Sequence, residues 1–283
     1  MNMTLKALMV LTGSVICLPL QADIMLTFGT YTSDKPTTMV KKFRPLLNAL
    51  EQELGALTTE KVKIKLHIAR SYQTGIDNII NGKVDIARLG PASYIKARER
   101  SAGIHLLAME SKKGKKRFNG VICTKADSKF KKIEDLRGHR FAFGNQKSTI
   151  GRYLSQSYLM KHGLYAKSFS EFSYLDRHDK VGYAVSKGDY DAGALKEGTF
   201  KKLIKKGEPL KALAVFENVT KPWVARAGLS DSLRKKLTTA LLNIKDKKAL
   251  SALKKDGFLN GKDSDYNFVR QSIKDNHRFF QGN

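Results

Sequence analysis

The chain has 283 residues, 41% of them hydrophobic, and 52 Lys and Arg against 26 Asp and Glu, a formal charge of +26. That length supplies one large domain or two ordinary ones with ample core, and the charge favours encounter with anions. Nucleic acid is disfavoured as the partner, because no helix-turn-helix, zinc-finger or RNA-binding aromatic signature is present.

Residues 1–22 carry one charge, Lys6, then the apolar run Ala7 to Leu20 and the small Ala22 before Asp23. This pattern is expected to be a secretory signal peptide, since the run is short for a membrane span; Ile16 before Cys17 is too bulky for a good lipoprotein cleavage site. The expected location is therefore the periplasm. After the signal only Cys123 remains, so no internal disulfide can form.

Strand and helix patterns then alternate. Ile24 to Gly29 reads as a strand, and Met39, Phe43, Leu46, Leu47, Leu50 and Leu54 mark one helix face. Val62 to Ala69 alternates as a strand, Ile76 to Ile80 is helical, and Val84 to Leu89 is a strand ending at Gly90-Pro91. Helix Ser93 to Arg100 leads into strand Ile104 to Met109. After the basic turn Lys112 to Arg117 and the apolar run Phe118 to Thr124, the alternation restarts. A helix near Ile133 to Leu136 is followed by strand Phe141 to Phe143, helix Thr149 to His162 and strand Phe169 to Leu175. Helix Lys180 to Lys187, strand Tyr190 to Leu195, helix Phe200 to Lys206 and the extended Leu210 to Phe216 complete it. The C-terminal part is helical, with Ser230 as a cap and Leu233, Leu237, Ala240, Leu241 and Ile244 on one face.

This order predicts an α/β protein with mainly parallel sheets. Two α/β units with a strand-rich passage at each change of unit predict two lobes crossed twice by the chain. The expected boundaries are a first lobe of residues 23–118 and 217–283 and a second of 119–216, with a ligand cleft between them.

The segment Arg140-Phe-Ala-Phe-Gly-Asn-Gln-Lys-Ser-Thr-Ile-Gly-Arg152 breaks an apolar strand at Gly144 and restarts as a helix at Ser148 and Thr149. Unpaired N–H groups and the positive end of the helix dipole point outward there, which suits a phosphate-like or carboxylate group. The same two residues are also ordinary helix caps. Arg88 is an arginine inside an apolar strand; a buried guanidinium needs an acidic or backbone partner, or an anionic ligand. Asp191 at a strand end is a site candidate that can equally order the Ala-Gly-Ala turn after it.

Ser71-Tyr72-Gln73, Val84-Asp-Ile-Ala-Arg-Leu-Gly-Pro-Ala-Ser-Tyr94, Ser148-Thr149-Ile150-Gly151, Arg177-His178-Asp179 and Gly188-Asp-Tyr-Asp-Ala-Gly-Ala194 follow in one order. That ordered set resembles the phosphate, phosphite and phosphonate substrate-binding proteins of ABC importers, over a span from Phe28-Gly29-Thr30-Tyr31 to Asp265-Tyr266. The resemblance implies a two-lobed type II periplasmic binding fold that closes over its ligand. It maps the family's Ser-Thr-Ser-Gly turn, which holds the phosphonate oxygens, onto Ser148, Thr149, Ile150 and Gly151. It maps the family's tyrosine, cleft histidine and hinge aromatic onto Tyr72, His178 and Phe118. With Tyr31, Arg88 and Asp191 these make up the candidate ligand set. Ile150 replaces the second serine, Phe118 lacks a phenol, Lys221 stands before Pro222 where an aspartate is expected, and Glu197 matches the other amine-binding acid only approximately. An amine-bearing ligand is therefore disfavoured.

No Gly-x-Ser-x-Gly elbow, His-Glu-x-x-His, Walker loop or metal-spaced Cys/His cluster occurs, so neither catalysis nor a cofactor is expected. The leading expectation is a monomeric solute-binding protein taking a small anion to an ABC permease. A sensor feeding a membrane signalling partner and a basic protein binding the envelope surface are its rivals.

Overall fold

A computed structural model describes residues 23–32 and 36–282; the segment 1–22 read as an export signal lies outside them. The chain runs through β1 (Ile24–Tyr31), α1 (Pro36–Gly55), β2 (Val62–Ala69), α2 (Tyr72–Ile80), β3 (Ile86–Arg88), α3 (Pro91–Arg100) and β4 (His105–Ser111). It crosses over in β5 (Arg117–Lys125) and continues through β6 (Arg140–Phe143), α4 (Ser155–Lys161), β7 (Glu171–Tyr174), α5 (His178–Lys187), β8 (Ala192–Lys196) and α6 (Glu197–Ile204). It returns through β9 (Leu210–Val219) and β10 (Pro222–Ala225), then α7 (Asp231–Asn243), α8 (Lys247–Ala252), β11 (Gly257–Leu259), α9 (Asn267–Lys274) and α10 (Arg278–Gln281).

The strands form two sheets, β11-β4-β10-β3-β1-β2 and β7-β6-β8-β5-β9. Alternation in β2 explains its place at the edge of the first. Val62 and Ile64 are buried while Lys63, Lys65 and His67 are exposed, and lysines on an edge strand discourage pairing with another chain. The apolar face of α1 packs as its spacing predicts: Phe43 stands 5.3 Å from the ring of Phe28, which lies 4.6 Å from Trp223.

The sheets are mixed, not mainly parallel. Strand-helix-strand units give the parallel pairs of β1 with β2 and β3 and of β6 with β7 and β8, as crossover helices require. The crossing segments run the other way: β10 is antiparallel between β3 and β4, and β5 is antiparallel to both β8 and β9. The helix expected over Thr149 to His162 begins as a π-helical turn, Thr149–Leu154, before α4, and Ile133–Leu136 is a 3₁₀ turn. At the far end of the chain, α10 sets Phe279 against Phe143 and Phe172 of the second sheet, at 5.7 and 6.1 Å.

Cys123 is fully buried in β5 and free, and burial pushes its thiol up to about 12. The thiolate is the reactive form. In a chain beginning at Asp23, Ellman's reagent is therefore expected to leave the native protein unlabelled at pH 8 and to titrate one thiol once urea unfolds it.

Candidate functional site

Four helices begin just beyond the ends of parallel strands: α2 after β2, α3 after β3, the π turn after β6 and α5 after β7. Their first residues, Tyr72, Gly90 and Pro91, Ser148 and Thr149, and His178, line one pocket together with Tyr31, Phe118 and Ile150. Carboxyl ends of parallel strands are where open α/β sheets bind ligands. Here both sheets deliver such ends to one place. The side chains close on one another and leave a cavity of about 20 Å³, on the order of one water position.

Hydrogen bonds hold these helix starts in register. Ser148 Oγ accepts from the Gly151 N–H at 3.0 Å, a standard cap. Gly90 caps α3 without a side chain, so other residues serve that end. The Gly90 N–H donates to the Tyr31 hydroxyl at 2.6 Å, Tyr31 Oη lies 2.8 Å from Ser93 Oγ, and the Ala92 N–H donates to Thr149 Oγ1 at 2.9 Å. The last bond joins the two sheet units. Burial pushes the Tyr31 phenol up, and its ring lies tilted against that of Tyr72, with centroids 4.1 Å apart.

Gly151 acts behind the pocket, where its carbonyl accepts from the Gly144 N–H at 2.8 Å. A Cβ on Gly151 would meet Gly144 Cα at 2.8 Å. Glycine is needed because two backbones touch.

Two of the candidates lie elsewhere. Arg88 is engaged in the first unit by Glu110, with Nη2 at 3.1 Å from Oε2 and its Nε on Oε1, and its guanidinium covers the Phe43 ring at 5.3 Å. The acidic partner, not a ligand, accounts for the arginine in that strand. Asp191 accepts from the Arg140 N–H at 2.8 Å and from its guanidinium at 3.0 and 3.2 Å. Partial burial opposes ionisation, yet Arg140 holds this carboxyl below its ordinary range. It fastens β6 to the turn before β8. Glu197 faces Lys112 and Lys201, at 3.4 and 2.6 Å.

Sequence reasoning passed over Lys196, Asn218 and, as a site residue, Lys221; all three line the pocket. Lys196 ends β8, a strand terminus that strand reading alone could have flagged. Asn218 faces Phe118 across the antiparallel pair of β5 and β9, a register invisible before the sheets are known. No group of three His, Cys, Asp or Glu suited to a metal occurs among the described residues.

The chain matches, over residues 28–266, the family described as ABC transporter, phosphonate, periplasmic substrate-binding protein. It is 23% identical over 237 residues to the "probable ABC transporter phosphite binding protein PhnD1" of Prochlorococcus marinus, covering 78% of this chain and 77% of that one. It is 25% identical over 195 residues to the "phosphate-import protein PhnD" of Mycolicibacterium smegmatis, covering 65% of this chain but 59% of that relative's length. Among solved structures, PhnD1 of Prochlorococcus marinus in complex with methylphosphonate superposes with a TM-score of 0.80 at 20% identity, covering 88% of this chain and 97% of that one.

Proposed function

Because the chain belongs to the phosphonate periplasmic substrate-binding family of ABC transporters, we propose that it captures a small oxyanion of the phosphonate, phosphite or phosphate type and presents it to an ABC permease. The observation that carries this reading is the convergence of four helix starts from two sheets on one pocket, to whose lining the described residues contribute no carboxylate. Helix N-termini supply unpaired N–H groups and favourable potential to an anion.

In this reading the first lobe is residues 23–118 and 217–283, the second is 119–216, and residues 1–22 direct export to the periplasm, where the protein works as a monomer. The solute meets one lobe and the other swings in about the two crossing segments. Thr149 couples the steps. Its oxygen accepts from the Ala92 N–H across the lobes, and its own proton remains to be donated. An oxyanion accepting that proton would tie ligand to closure. Ser148, Tyr72 and His178 complete the ring of groups that replace water.

Thermal unfolding tests this. Methylphosphonate, phosphite or phosphate at about 100 times its Kd is expected to raise Tm by roughly 5 °C. The shift should persist in roughly 150 mM salt, which screens surface adhesion. The Ser148→Ala/Thr149→Ala variant should lose most of it. No shift with any of the three would overturn the reading.

A further inference from the structure

A neutral polar side chain in the pocket wall is left unsatisfied. Asn218 lines the pocket from β9, the second crossing segment, and is 1% exposed. Its Oδ1 has no hydrogen-bond partner among the described residues. Phe118, which faces it across the antiparallel pair of β5 and β9, is apolar and cannot serve it. Buried polar groups are nearly always hydrogen-bonded, because an unpaired one has given up its hydration for nothing. An orphan on the wall of a binding pocket therefore points to where a polar group of the ligand arrives. Thr220, two residues on, is 0% exposed and its Oγ1 is also unpartnered, but it is not among the residues that line the pocket.

Resting on the oxyanion reading above, we infer that Asn218 receives the fourth substituent of the tetrahedral ligand and that this substituent is a hydroxyl, so that the preferred solute is inorganic phosphate. Three ligand oxygens meet the helix starts, Ser148 and Thr149 among them, and the fourth position turns to the wall built by the crossing segments. Either end of the amide matches a hydroxyl. The hydroxyl donates its proton to the carbonyl or, after a half-turn of the amide, its oxygen accepts from the NH₂. The P–H of phosphite and the P–CH₃ of methylphosphonate do neither, and they leave the amide unpaired. A site built to hydrogen-bond a hydroxyl rejects an analogue lacking it far more strongly than a site that merely encloses one.

Isothermal titration of the purified protein with phosphate, phosphite and methylphosphonate tests this. Phosphate is expected to bind about tenfold or more tighter than either of the others. Asn218→Leu, close to asparagine in size, should shrink that preference, chiefly by weakening phosphate. Thr220→Val removes the orphan that lies outside the lining and should leave the preference unchanged; an equal loss there would assign the effect to the crossing segment and overturn the inference. In urea unfolding without ligand, Asn218→Leu should raise the midpoint, because an unpaired buried amide is removed, whereas an amide with a structural role would lower it and defeat the premise. A wild-type preference below about tenfold, or one that Asn218→Leu leaves unchanged, as when a bound water satisfies the amide, overturns the inference. The wild-type comparison decides even if the variant fails to fold. A protein that binds phosphite or methylphosphonate without favouring phosphate keeps the oxyanion reading and loses this inference, and one that binds none of the three loses both.

Discussion

Glu110→Gln is expected to destabilise the protein by about 3–5 kcal/mol, read from the midpoint of equilibrium urea unfolding. Glu110 has no exposed side-chain surface. Its carboxylate receives Arg88 on both oxygens, Lys255 at 3.1 Å, and the Trp223 indole N–H at 3.4 Å. Removing the negative charge strands two buried cations, and a domain's whole stability is only about 5–15 kcal/mol. The cost should arise from those orphaned cations, not from lost volume. The triple replacement Arg88→Met/Glu110→Leu/Lys255→Met is therefore expected to recover most of it, since apolar groups often substitute for a buried ion cluster without loss. A triple variant as unstable as Glu110→Gln would refute that account.

The same cluster fixes a pH dependence. Burial alone would raise the Glu110 carboxyl, but Arg88 and Lys255 outweigh it and bring the group to about 2 from an ordinary 4.5. A depressed carboxylate contributes stability that is complete above 4.5 and is lost as pH falls toward 2. At about 1.4 kcal/mol per pKa unit, the wild-type advantage over Glu110→Gln should shrink by about 3 kcal/mol between pH 5 and pH 2. Lys255 contributes to the burden, since burial lowers its ammonium from the ordinary 10.5 despite the neighbouring carboxylate. A gap that stays constant over this range would mean that Glu110 does not act through its charge.

This cluster also marks the limit of what the sequence makes legible. Arg88 is conspicuous as a charge in an apolar strand, but its partner lies 22 residues on, in another strand of the sheet. Only the insertion of β10 between β3 and β4 brings Trp223 to the same carboxylate. Periodicity reports which face of an element is buried, and so α1, β2 and the Ser230 cap, which accepts from the Leu233 N–H at 3.3 Å, can be read directly. Ser148 is legible for the same local reason. Thr149 is legible as a helix start, yet its bond to the Ala92 N–H spans 57 residues and depends on how two sheets face each other. Asn218 and Lys221 belong to the returning segment of β9 and β10, with no periodic mark, whereas Lys196 stands at the end of β8.

Gly151→Ala is expected to cost about 1–3 kcal/mol of stability and to weaken oxyanion binding by about a hundredfold or more, measured by urea unfolding and by titration with methylphosphonate. The added Cβ would lie 2.8 Å from Gly144 Cα, 3.1 Å from Gly144 N and 3.0 Å from Ser148 Oγ. Two of those atoms are backbone, so no flexible side chain can swing away. Relief requires the end of β6 and the π turn to part, breaking the 2.8 Å bond from the Gly144 N–H to the Gly151 carbonyl. The parting carries Ser148 and Thr149 with it, and the Thr149 link to α3 is lost. Positioning errors of this size are costly where donors must converge on one anion. Gly144→Ala loads the same gap, its Cβ 3.0 Å from Gly151 Cα, so the double variant should cost less than the sum of the singles. Gly198→Ala is the control. It sits inside α6 with nothing within 4 Å of its added Cβ, and alanine there should be neutral or stabilise by up to about 1 kcal/mol. Equal losses at Gly198 and Gly151 would show that the effect reflects glycine replacement in general and not the contact between the two backbones.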